Sequence, residues 1–184
     1  MPTHSHPLAF GYTAAMNIVL IGYRGSGKSS IGKKLAAKLW LDFVDSDALI
    51  TERAGMTIRE IFEKETEAGF RSRENAVIHE LAGRDNLVIA AGGGAVLNPG
   101  NVEALRKNGK IIWLHAEPAV LHQRIEADTA TSATRPNLTA SGGLDEIKTL
   151  LTQRMPIYKS AAQVTLDVTH LSIDEAAVRL VSLI

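Results

Sequence analysis

The sequence predicts an α/β fold, with five short parallel strands in one sheet and helices covering both faces. Two observations carry this. Five short apolar runs rich in strand formers alternate with stretches of helical periodicity along the 184 residues. The first run, Asn17-Ile18-Val19-Leu20-Ile21, opens directly into a glycine loop that ends in helical periodicity. At 184 residues the chain is long enough for one domain with a real core and short for two.

The glycine loop, Gly22-Tyr23-Arg24-Gly25-Ser26-Gly27-Lys28-Ser29, matches G-x-x-x-x-G-K-[ST] at every fixed position. Glycines let the backbone curl with its N–H groups turned inward around a polyphosphate, and the helix that follows offers its positive end to the same anion. Lys28 brings a full charge to the β- and γ-phosphates, and the Ser29 hydroxyl suits Mg²⁺. A mere glycine turn containing Lys-Ser is the plain alternative, and the position between strand and helix weighs against it.

Composition narrows the rest. Twenty Lys and Arg balance twenty Asp and Glu, so no global field attracts nucleic acid or a membrane surface, and an anionic ligand must be held by a local cluster. The absence of cysteine excludes disulfides, thiolate catalysis and cysteine-ligated metal, and suits a reducing cytoplasm. No apolar run is long enough to span a bilayer. Residues 1–15 lack the basic and apolar regions of a signal peptide and read as a flexible extension, with the fold starting at Met16.

In chain order, residues 30–39 place Ile31, Leu35, Ala36 and Leu39 on one helical face and Lys33, Lys34 and Lys38 on the other. A second strand at 41–44 runs into Asp45-Ser46-Asp47. Carboxylates at the C-terminal end of a parallel strand sit where open α/β sheets bind ligands, one toward a metal and one toward a substrate; a helix cap at Asp45 or Ser46 is the alternative. Gly55 reads as a helix stop, and Thr57-Ile58-Arg59-Glu60 as a capping box that opens a helix to about residue 81, broken near Gly69. Within it Arg71 and Glu74 share a face, either as an oriented guanidinium or as an ordinary surface ion pair. The third strand, 87–91, is followed by Gly92-Gly93-Gly94, which implies a close backbone approach or simply a flexible turn.

A short helix at 98–108, a strand at 110–115 and another helix from Pro118 to about residue 127 follow. Periodicity then stops. Residues 127–143 are rich in Ala, Thr and Ser with Arg135 near the middle, which reads as a lid closing an Arg over a phosphate or as a solvated loop. Residues 144–155 are amphipathic, and Pro156 is expected to end that helix, leaving Arg154 at a C-terminus where a cation also suits the dipole. The fifth strand is 164–168. Ser172-Ile173-Asp174-Glu175 is a second capping box, opening the last helix through residue 181.

Taken together, the Gly22–Ser30 loop, Phe43-Val44-Asp45-Ser46-Asp47, Phe70-Arg71-Ser72-Arg73-Glu74, the Gly92–Gly94 run, Thr134-Arg135-Pro136-Asn137-Leu138 and Arg154-Met155-Pro156-Ile157-Tyr158 form an ordered set that resembles the shikimate kinases, from Asn17 to the last helix. The resemblance implies a P-loop fold with strand order 2-3-1-4-5, a substrate-binding region at about 47–83 and a mobile lid at about 127–143. It implies transfer of the γ-phosphoryl of ATP to the 3-hydroxyl of shikimate, in the route to aromatic amino acids, by a cytoplasmic monomer. ATP would be held by Gly25, Ser26, Gly27, Lys28, Ser29 and Ser30, with Arg135 descending on the phosphates. Ser29 and Asp45 would hold Mg²⁺, Asp45 through water. Asp47 would accept the substrate hydroxyl as base, Arg71 and Arg154 would grip the carboxylate, Glu74 would orient Arg71, and Gly92, Gly93 and Gly94 would approach the ring. The catalytic group so implied is Lys28, Asp47 and Arg135.

Two departures stand out. Many members of that family carry a further basic residue early in the lid that contacts the nucleotide, whereas here Asp128 stands there, the lid has no Lys or Arg besides Arg135, and Arg124 just before it is not assigned that contact; some members also carry Arg beside adenine after the last strand, where this chain has Thr169-His170-Leu171. The competing functions are another small-molecule kinase such as a gluconate kinase, a kinase-like protein without activity, and a nucleotide switch, which the lack of an N-K-x-D segment disfavours.

Overall fold

The computed structural model describes residues 16–128 and 142–184. The expected extension at 1–15, most of the lid and Arg135 lie outside the described residues. Five strands form one parallel sheet: β1 (Asn17–Ile21), β2 (Asp42–Asp45), β3 (Leu87–Ala90), β4 (Gly109–His115) and β5 (Val164–Asp167), in the order β2-β3-β1-β4-β5. The helices are α1 (Lys28–Leu39), α2 (Ser46–Ala54), α3 (Ile58–Ala82), α4 (Pro99–Lys107), α5 (Pro118–Ala127), α6 (Gly143–Ala161) and α7 (Ile173–Leu183).

β1 lies at the centre because every residue in it is buried, as a strand covered on both faces requires. Asn17 is the polar exception. Its amide donates to the Arg84 carbonyl at 2.6 Å and accepts from the Leu87 N–H at 2.9 Å, which stitches the lower edge of the sheet. The register sets Leu20 beside Ala90 and Ile112, and Asp45 beside Ala90. The ends of β1, β2 and β3 therefore reach the same edge, and the strand order reverses between β1 and β3, where a ligand crevice forms.

Three elements differ from expectation. The break in α3 falls at Thr66 (φ 66°, ψ 177°), not near Gly69. Gly69 stays helical; a Cβ there would lie 2.5 Å from the Glu65 Cβ, so this glycine marks the close approach produced by the kink rather than the kink itself. Arg73 bridges back to Glu65 through two 2.8 Å hydrogen bonds and braces the bend. Second, Pro156 does not end α6, which continues to Ala161. Downstream anchors outweigh the one lost backbone bond: Tyr158 is fully buried, stacks on Trp113 and donates to the Gly93 carbonyl at 2.6 Å. Third, a short 3-10 turn (Ala95–Leu97) follows the glycine run.

Candidate active site

The nucleotide loop forms where β1 ends. Gly27 is left-handed (φ 89°) at the start of α1, a conformation costly for other residues, and no side chain caps the helix, which leaves its first-turn N–H groups to an anion. Lys28 Nζ donates to the Gly22 and Tyr23 carbonyls at 2.8 and 2.9 Å, so its charge is held over the loop.

Ser29 and Asp45 meet. Ser29 Oγ donates to Asp45 Oδ2 at 2.5 Å, while Asp45 Oδ1 caps α2 by accepting from the Asp47 and Ala48 N–H groups. The cap and the ligand readings of Asp45 are both satisfied, one by each oxygen. A hydroxyl and a carboxylate side by side at the loop are the hard oxygen donors that Mg²⁺ takes together with phosphate.

A cleft of about 600 Å³ runs from Lys28, Ser29 and Asp45 to Arg124, Ile125 and Leu171. Arg124 Nη2 donates to the Val168 carbonyl at 2.9 Å and lies in the far part of the cleft. That placement was not legible in the sequence, because it depends on where the segment after β5 turns.

Beside this cleft is a smaller, partly apolar cavity lined by Tyr23, Phe62, Phe70, Arg71, Glu74 and Arg154, among others. The glycine run shapes it. A Cβ on Gly92 would lie 2.5 Å from Asp47 Oδ1 and 2.9 Å from Glu74 Oε1, and a Cβ on Gly94 would overlap the Arg71 guanidinium. Close approach, not flexibility, explains these glycines. Gly92 N–H donates to Ser46 Oγ at 2.9 Å, fixing the run against the start of α2.

Arg71 donates to Glu74 Oε2 at 2.7 Å and also contacts Glu67. This is more than a surface ion pair, since the Glu74 side chain is only 2% exposed. Burial pushes the Glu74 carboxyl above its ordinary range; Arg71 and Arg154 pull it down and Asp47 adds to the rise. For Arg71, burial works against the charge, yet Glu74 and Glu67 outweigh it and hold its pKa above the usual value. Glu74 Oε1 is buried without a hydrogen bond among the described residues, so half of this carboxylate is left beside the cavity. Arg154 sits over the Tyr23 ring at 5.9 Å to the centroid. Burial also pushes the Tyr158 hydroxyl up to about 12.

Asp47, in the first turn of α2 and 8% exposed, lines both the cleft and the smaller cavity. The structure thus brings together every expected residue within the described range: Gly25, Ser26, Gly27, Lys28, Ser29 and Ser30 around the loop, Asp45 beside Ser29, and Asp47, Arg71, Glu74, Gly92, Gly93, Gly94 and Arg154 around the second cavity. Missed were Tyr23, Arg24, Phe62 and Phe70. Phe62 and Phe70 meet across the bend at Thr66, with ring centroids 5.1 Å apart, a contact that helical spacing alone does not announce.

This fold and loop define the class, a P-loop kinase acting on small molecules. The family model for shikimate kinase matches residues 24–184, and the chain belongs to the shikimate kinase family. A shikimate kinase from Rhodopirellula baltica is 43% identical over 159 residues, covering 86% of this chain and 85% of that protein. The solved shikimate kinase from Acinetobacter baumannii in complex with shikimate has a TM-score of 0.86 and 36% identity, covering 93% of both chains. A gluconokinase from Sinorhizobium meliloti, at 22% identity, a TM-score of 0.56 and coverage of 92% of this chain and 93% of its own, shares the fold alone.

Proposed function

We propose that this chain transfers the γ-phosphoryl of ATP to the 3-hydroxyl of shikimate, giving ADP and shikimate 3-phosphate for aromatic amino acid synthesis. The observation that supports this reading best is Asp47, a carboxylate shared by the nucleotide cleft and a cavity that is also lined by the guanidinium groups of Arg24, Arg71 and Arg154.

Arg71 and Arg154 bind the shikimate carboxylate, and Glu74 keeps Arg71 in one orientation. Phe62 and Phe70 pack against the ring and exclude water. With the acceptor so held, its hydroxyl oxygen forms a bond to the γ-phosphorus while the bond to the β,γ-bridging oxygen breaks. The electron pair leaves with ADP, and the hydroxyl proton passes to Asp47. Lys28 and the loop N–H groups stabilise the phosphate charge. Ser29 and Asp45 would hold Mg²⁺, which when bound neutralises charge on the β- and γ-phosphates. Arg124 would lie against the adenine, taking the place that the basic-poor lid leaves open. The role of Arg135 on the phosphates rests on the family resemblance. Work as a cytoplasmic monomer, without nucleic acid or membrane, belongs to the same reading; no described helix is long and apolar enough to cross a membrane.

ADP release from Mg·ATP, measured separately with shikimate and with gluconate, tests the proposal. Turnover with shikimate alone is expected. Turnover with gluconate, or with neither while ATP still binds, overturns the substrate assignment.

A further inference from the structure

The phosphoryl group must cross from the nucleotide cleft to the acceptor cavity, and among the described residues only two line both: Asp47 and Arg24. One is the acid that takes the proton. The other is a cation at a variable position of the loop motif.

Arg24 is held rather than loose. Its side chain is 16% exposed, and Nη2 donates at 3.1 Å to Oε1 of Glu146, whose side chain is fully buried in the first turn of α6. Its Nε–H is buried and makes no hydrogen bond among the described residues. The Tyr23 hydroxyl next to it is also buried, in a residue 2% exposed that lines the same cavity, and it faces the Arg24 guanidinium. A guanidinium N–H buried at the junction of the two cavities, with no carboxylate or carbonyl acceptor among the described residues, is open to a polar ligand.

We infer that Arg24 contacts the phosphoryl group in transit, with Glu146 fixing the guanidinium by one nitrogen so that Nε–H is presented to a phosphoryl oxygen. The inference deepens the shikimate-phosphorylating reading and rests on it. The step is unchanged: the acceptor oxygen bonds to the γ-phosphorus, the bridging oxygen departs with its electron pair on ADP, and the proton goes to Asp47. Arg24 adds no bond. It stabilises the charge spread over the equatorial oxygens, which a chain whose lid carries a single Arg has otherwise few groups to do. Glu146 is a positioning residue, acting through Arg24.

The test measures kcat and both KM values for Arg24→Met, Arg24→Lys and Arg24→Met/Glu146→Gln, together with the affinity of each for ADP alone and for ADP with aluminium fluoride and shikimate, a mimic of the planar phosphoryl. The double variant removes the buried charge that Arg24→Met alone would strand, so it keeps the inference testable if the single variant does not fold. Expected is a loss of about 100-fold in kcat in the double variant, with both KM values changed by less than about threefold. Affinity for the fluoride complex falls by a similar factor and affinity for ADP does not. Arg24→Lys, which keeps the charge and its pairing with Glu146 but not the Nε–H, loses about tenfold.

Three results overturn the inference: kcat within about threefold of the wild type in the Lys or the double variant, KM values that rise with kcat unchanged, or equal losses for ADP and the fluoride complex. A wild-type protein that turns over an acceptor other than shikimate defeats the substrate reading instead. The same variants then test Arg24 with that acceptor.

Discussion

Asp47 and Glu74 converge on one backbone point, Gly92, and the chemistry depends on their different partners. Asp47→Asn keeps the volume and removes the base, so kcat should fall about 10²- to 10⁴-fold while ATP affinity stays near the wild-type value. Single-turnover kinetics and ATP titration check this; unchanged turnover in a folded variant removes Asp47 from the mechanism. Arg154→Ala should raise the KM for shikimate about 10- to 100-fold and leave that for ATP nearly constant, since a charge-assisted bond to a carboxylate is worth roughly 1.5–3 kcal/mol. Equal weakening of both would make Arg154 a support for the loop through Tyr23. Glu74 gives a pH dependence. Its folded pKa lies above the unfolded value, so the cost of its buried charge is present at high pH and is relieved as pH falls through the folded pKa. Over that window stability falls as pH rises. The functional sign is opposite, because protonation removes the carboxylate that braces Arg71. The acid limb of kcat/KM for shikimate should therefore lie above the ordinary glutamate range, and Glu74→Gln should abolish that limb and flatten the stability profile. An acid limb that survives at the same pH in Glu74→Gln assigns it to another group, whereas a separate limb from the base Asp47 is expected in both proteins.

At the scale of elements, what was legible follows from where the signal is stored. Capping boxes at Thr57 and Ser172 and the left-handed stop at Gly55 are local chemistry, and all three helix boundaries stand as read. The kink at Thr66 has no local signature: a threonine among glutamates is held at positive φ by packing on either side, where Phe62 meets Phe70 and Arg73 reaches Glu65. This backbone region is nearly reserved for glycine. Thr66→Gly should therefore relieve strain of about 1 kcal/mol net and raise Tm by about 2–4 °C, measured by thermal melting. A fall in Tm would show that the Thr66 side chain contributes more than its backbone costs. Pro156 misled for the complementary reason. A local rule predicts a stop, but Tyr158 two residues later is locked to Gly93 and Trp113. Tyr158→Phe should lower Tm by about 2–4 °C, the effect of one buried hydrogen bond of about 1 kcal/mol. No change would leave the continuation of α6 to the ring alone.

For the whole molecule, the parallel sheet brings the ends of β1, β2 and β3 to one edge, so residues remote in sequence, Lys28, Asp45, Asp47 and Gly92, meet without further design. The alternation of short apolar runs with helices made that sheet readable, and the ordered motifs gave its strand order through the family resemblance. The identities around the two cavities were only partly readable. Arg24, Arg124 and Tyr23 occupy positions that no motif fixes, and their places follow from the packing of α6 and the turn after β5. The central claim is that phosphate crosses from cleft to cavity onto one particular hydroxyl. Phosphorus-31 NMR of a mixture of this protein, Mg·ATP and shikimate, with proton coupling resolved, tests it in one spectrum. The account predicts loss of the γ-phosphate signal and growth of a monoester coupled to the proton on C3 of shikimate. Phosphate appearing as the inorganic ion, or coupled to a different ring proton, would contradict it.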